Sequence, residues 1–193
     1  MILYQRLFPK TFQQTLLMLF GVELIKSGVY FDMPYSYSRT NQLIQASSPY
    51  GQQAGLEQLY FAQLISVSAV TEHELRVKEI IETHARQKNQ DFGEYVKNKF
   101  SKLNGRIKKE NLEEYANDFG VLYKNELKRK LNELTNNSLS NGLPDPISDY
   151  DSLINNRHTF VHAGRFSVSY NDIVRYFYNS IIVLDKLEES LVV

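Results

Sequence analysis

From Leu56 to Lys88 the apolar side chains keep helical spacing: Leu56, Tyr60, Leu64, Val67, Val70, Val77 and Ile81 share one stripe, interrupted by Glu74. That spacing predicts one long helix. A stripe of this length has to be covered, and no alternation at period two persists anywhere in the chain to supply a sheet. The fold is therefore read as all-α, a helical bundle of about five main helices.

Thr11 to Lys26 carries Leu16, Leu17, Phe20 and Leu24 at helical spacing and stops at Ser27-Gly28. Tyr30 to Gly55 holds Pro34, Pro49, Gly51 and the tyrosines 30, 35, 37 and 50. It reads as an irregular aromatic arm with one helical turn at Asn41–Ala46, packing on the domain or on a partner. Phe92–Phe100 is a shorter helix. Leu112–Leu134 is another, broken near Gly120, with Leu122, Leu127, Leu131 and Leu134 inward. Thr135–Pro146 is a loop. Ser148 caps the next helix, with Asp149 and Asp151 in its first turn and Gly164 as its stop. Asn171–Leu191 closes the chain with Ile173, Phe177, Ile181, Leu184 and Leu187 inward. The expected division is 1–55 as an N-terminal helix and arm, and 56–193 as the helical domain.

Composition excludes several classes of function. The chain has no cysteine, so thiolate catalysis, disulfides and cysteine zinc sites are absent. That absence fits a reducing compartment, and the expected location is cytoplasmic. No apolar run is long enough to span a membrane and no signal peptide is read. With 22 basic and 22 acidic residues there is no globally basic surface. Residues 71–134 nevertheless carry most of the charge, including Lys97, Lys99, Lys102, Arg106, Lys108 and Lys109 without an intervening acid. That run is a candidate for RNA phosphate contacts, or simply a solvated face.

The chemistry-bearing segment is Arg157-His158-Thr159-Phe160-Val161-His162, followed by Ala163-Gly164. On a helical wheel Arg157 lies mid-arc among Leu153, Ile154, Phe160 and Val161. His158 and His162 share one border about 40° apart, and Arg157 and His162 diverge by about 140°. A guanidinium stays charged and grips two phosphate oxygens, and histidine exchanges protons near neutral pH. Together they suit metal-free cleavage of an RNA phosphodiester by its own 2′-hydroxyl. One helix does not converge both residues on one phosphate, whereas two helices related by a twofold axis do. A bland reading stands beside this one: Arg157 pairs with a buried acid such as Glu74 and His162 is structural. His158-x3-His162 is also a metal spacing, but a third ligand is not evident.

Arg-x4-His before Ala-Gly resembles the signature of HEPN domains, and the resemblance spans about 56–193. The matching pieces are the long helix with Glu74-Leu75, Asp151-Ser152-Leu153-Ile154 ahead of Arg157, and the final helix opening at Asn171-Asp172-Ile173. They are most similar to the RiboL-PSP type. The resemblance implies a HEPN-like bundle, an antiparallel homodimer, and a metal-independent endoribonuclease that needs no cofactor. It implies Arg157 and His162 as catalytic; His158 beside them and Glu74, which interrupts the apolar stripe and could orient Arg157 or a histidine, are auxiliary candidates from their positions. It also implies a toxin or antiviral defence role and an antitoxin or defence-system partner. The residue after the arginine is usually Asn or Asp in that family and here is His158, which either weakens the site or adds a second proton carrier. The rival is a non-catalytic HEPN module that binds a nucleotide or a partner protein.

Overall fold

The computed structural model of the protein describes residues 37–51, 55–101 and 106–192. The expected helix at Thr11–Lys26 and the arm residues Tyr30 and Tyr35 lie outside the described residues. Within them are seven helices and no strand: α1 (Ser38–Ser47), α2 (Leu56–Lys88), α3 (Gln90–Phe100), α4 (Lys109–Phe119), α5 (Val121–Ser140), α6 (Pro146–Ala163) and α7 (Tyr170–Ser190). The all-α expectation is met. No helix among the described residues is long and apolar enough to cross a membrane.

α2 spans 33 residues, about 50 Å, and α1, α3, α6 and α7 pack along it. From Val70 onward it follows the expected stripe, with Val70, Val77 and Ile81 buried. Its first turns do not. Leu56, Tyr60 and Leu64 are 66%, 59% and 53% exposed, because no described helix covers that flank.

α1 is longer than the single turn expected and belongs to the bundle. Its hold on α2 is polar. The buried Glu72 carboxylate accepts the backbone N–H groups of Arg39 and Thr40, both at 3.0 Å, and so caps the helix from a distant position. Thr40 Oγ1 and Ser68 Oγ are 2.8 Å apart. At the other end Tyr170 OH donates to the Ile44 carbonyl, and Ser47 Oγ sits 2.9 Å from the same phenol. The Tyr170 ring fills the space that a side chain at Gly51 would need: a Cβ there would lie 2.4 Å from it.

Gly120, with φ 138°, breaks α4 from α5. Leu122 is 73% exposed rather than inward because it lies about 140° around α5 from Leu127, while Leu127, Leu131 and Leu134 are buried as expected. α5 runs on to Ser140 through the segment expected as loop. Ser138 is buried there, and the helix closes locally at Gly142 (φ 66°), with the Ser138 carbonyl accepting from Leu143 N–H at 2.9 Å.

The centre of the bundle is a histidine. His73 is fully buried, stacked against Phe177 (5.9 Å) and Tyr150 (6.2 Å), with Tyr37 edge-on at 5.5 Å. Ser180 spends its hydroxyl proton on the Phe177 carbonyl, so His73 Nε2–H donates to Ser180 Oγ. Nδ1 is left without a partner. Burial lowers the His73 pKa to about 3 and holds the ring neutral.

Candidate functional site

The motif helix α6 is capped three residues earlier than Ser148. Asp145 is its cap, accepting Ile147 N–H at 3.2 Å and Ser148 N–H at 3.3 Å, and Pro146 occupies the first helical position. Gly164 ends it in the left-handed region at φ 62°, its N–H bonded to the Phe160 carbonyl. The chain then returns as α7. Buried Asp149 accepts from Asn179 Nδ2 at 2.6 Å and from Arg175 Nε at 3.2 Å, which locks the two helices antiparallel. Burial pushes the Asp149 pKa up against these two donors.

Contacts at both ends fix the direction of α2 relative to α6. Gln58 reaches Gly51, which lies under Tyr170 at the start of α7. His73 meets Ser180, and Arg76 pairs with Glu188 near the end of α7. Thus α2 runs parallel to α7 and antiparallel to α6, with His73 and Tyr150 in register. Two turns beyond Tyr150 stands Arg157, half-buried, its Nε enclosed without a hydrogen-bond partner. Two turns before His73 stands Ser66, fully buried, its Oγ also without a partner. The two orphaned groups are therefore level, each about 10 Å along its helix from the His73–Tyr150 stack. A buried guanidinium nitrogen without an acceptor is costly, and an entering anion relieves that cost. Ser66 was not singled out from the sequence; the signal would have been a small polar residue on the apolar stripe.

His158 and His162 are exposed, one turn apart, with ring centroids 4.4 Å apart. The wheel reading holds for these two: they share a border that Arg157 does not. Of the apolar arc around Arg157, Leu153 and Ile154 are buried and Phe160 is half-buried against Phe166, but Val161 is 50% exposed. The arc is sealed only in its first half.

The other candidates are spread out. Glu74 is half-buried on α2, level with Asp149 and Tyr150 rather than with Arg157. The deeply buried acid of that helix is Glu72, which serves α1. The basic run splits. Lys97 and Lys99 sit exposed on α3, which packs on the distal half of α2, and Lys99 pairs with Asp118 at 3.2 Å. Lys102 lies outside the described residues. Arg106, Lys108 and Lys109 approach the motif helix, since Tyr150 OH donates to the Ile107 carbonyl between them. Lys108 and Lys109 also partly offset the upward pKa shift that burial imposes on Asp151. No group of three or more His, Asp or Glu side chains is placed to hold a metal ion among the described residues.

An all-helical bundle with an arginine and two histidines at the end of its penultimate helix is of HEPN type. The RiboL-PSP-HEPN family model matches residues 36–193, and the chain belongs to that family. The match begins ahead of Leu56 and takes in α1, in keeping with the packing of that helix. No curated protein and no solved structure matches the chain.

Proposed function

We propose that the protein is a metal-independent endoribonuclease whose site is completed in a homodimer. The observation that carries this reading is the arrangement at the end of α6: a half-buried arginine with an unsatisfied Nε, beside two exposed histidines in ring contact. In the proposed reaction His162 takes the proton of a ribose 2′-hydroxyl. The 2′-oxygen attacks phosphorus, the bond from phosphorus to the 5′-oxygen breaks, and that oxygen leaves with a proton. His158 is the second proton carrier. Arg157 binds the non-bridging oxygens and stabilises the phosphorane. The products are a 2′,3′-cyclic phosphate and a 5′-hydroxyl. No metal or other cofactor takes part. The substrate is cytoplasmic RNA, and the role is that of a toxin or defence nuclease restrained by an antitoxin or a defence-system partner.

The test is incubation of total RNA with purified protein in EDTA beside the Arg157→Ala/His162→Ala double variant. Cleavage by wild type alone, with DNA left intact, is the expected result. Intact RNA, or cleavage that needs added Mg²⁺ or Zn²⁺, returns the protein to the non-catalytic module that binds a nucleotide or a partner protein.

A further inference from the structure

We infer that His158 and His162 form a reversible chelating site for a divalent transition-metal ion of the zinc class, and that an ion held there switches the proposed cleavage off. The inference rests on the reading of these histidines as proton carriers and adds an inhibitory ligand to them.

The two rings stand one turn apart on α6, with centroids 4.4 Å apart and planes tilted by 48°. Residues four apart on a helix share a face, and that spacing suits two ligands of one ion. Two imidazoles bound to one ion through nitrogens at about 2.1 Å have their centroids about 4.5 Å apart at a right angle and about 5.2 Å apart at the tetrahedral angle. The rings are therefore already near chelating separation, and both side chains are exposed and free to make the small adjustment. Neither ring makes a hydrogen bond among the described residues, so no protein donor occupies a ring nitrogen.

The chain has no cysteine and four histidines. His73 and His84 are buried, so the α6 pair holds the imidazoles that an ion in solution can reach. The pair also lies in the last turns of α6, at the negative end of the helix dipole, which favours a cation. Arg157 opposes the ion only weakly, because it leaves the helix about 100° from His158 and about 140° from His162. Imidazole selects zinc, copper and nickel ions, whereas magnesium and calcium ions take oxygen ligands. Only two protein ligands are present, so water completes the shell and the site loads and empties with ion concentration. Such an ion is no cofactor, and its site is compatible with a reaction that runs without metal. When the site is loaded, the lone pairs that would exchange protons are committed to the ion. His162 then cannot take the 2′-hydroxyl proton, and His158 cannot serve as the second carrier.

The experiment is calorimetric titration of Zn²⁺ into full-length, tag-free protein stripped of metal, beside His158→Gln and His162→Gln. Wild type should bind one ion per chain at tens of micromolar Zn²⁺, and each variant should bind about tenfold more weakly or worse. Excess Mg²⁺ should not displace the ion. In proton–carbon spectra, Zn²⁺ should shift the ring signals of His158 and His162 and leave those of His73 and His84 in place. RNA cleavage by wild type should fall in step with occupancy and return on adding EDTA. Absence of Zn²⁺ binding, or binding that both variants retain unchanged, overturns the inference. So does cleavage at the full rate with the site saturated. If Zn²⁺ binds wild type and not the variants, but wild type cuts no RNA in EDTA, the chelating site stands and the nuclease reading fails.

Discussion

Replacing His73 with leucine should make the protein's stability less sensitive to mild acid. His73 is fully buried, its Nδ1 has no partner, and burial holds its pKa at about 3. The unfolded chain binds a proton at this residue below about pH 6.5, and the folded chain does not until about pH 3. The stabilisation is therefore complete above pH 6.5 and drains away as pH falls towards 3. At pH 5.0 an unfolded histidine is protonated about thirtyfold over neutral, equivalent to about 2 kcal/mol. Asp185 works the other way: burial raises its pKa to about 6, so its ionisation costs stability as pH rises from about 3.8 through 6. Asp185 is present in both proteins and cancels in the comparison. At pH 7.5 His73→Leu loses the bond to Ser180 but also removes an orphaned acceptor, so its stability should lie within about 2 kcal/mol of wild type. Urea unfolding at pH 7.5 and 5.0 reads the difference directly. Wild type should lose about 2 kcal/mol more than His73→Leu between the two. Equal losses would mean that the folded protein protonates His73 like a surface histidine, and the neutral-core argument would be refuted.

Removing Glu72 as alanine strands two backbone N–H groups of α1, one of them buried, and should cost about 2 kcal/mol in urea unfolding, with partial recovery in Glu72→Gln. Neutralising Arg106, Lys108 and Lys109 should weaken RNA binding and flatten its logarithmic salt dependence by roughly 2. Neutralising Lys97 and Lys99, on the distal half of the bundle, should leave both nearly unchanged; the reverse pattern would place the RNA on α3.

Apolar periodicity reports what is buried by apolar contact, and the sequence reading succeeded where that holds. α2 and α7 were bounded to within a residue or so, and the inward set Ile173, Phe177, Ile181, Leu184 and Leu187 is buried throughout. α1 was underread because its attachment runs through Glu72, Ser68 and Tyr170, a polar pattern with no helical signature. Leu56, Tyr60 and Leu64 were read as core because helical spacing alone does not say whether a neighbouring helix covers the stripe. The motif residues were identifiable one by one from their spacing. The level arrangement of Arg157 with Ser66 depends on the antiparallel register of α6 and α2, which no local pattern carries.

The proposed chemistry is tested most directly by a short RNA in which one cut site carries a single 2′-deoxy nucleotide, incubated with wild-type protein in EDTA. Attack by the 2′-hydroxyl predicts that the substituted site stays intact while neighbouring sites are cut, and that every product ends in a 2′,3′-cyclic phosphate opposite a 5′-hydroxyl. Cleavage at the deoxy position, or products ending in a 3′-hydroxyl and a 5′-phosphate, would contradict it.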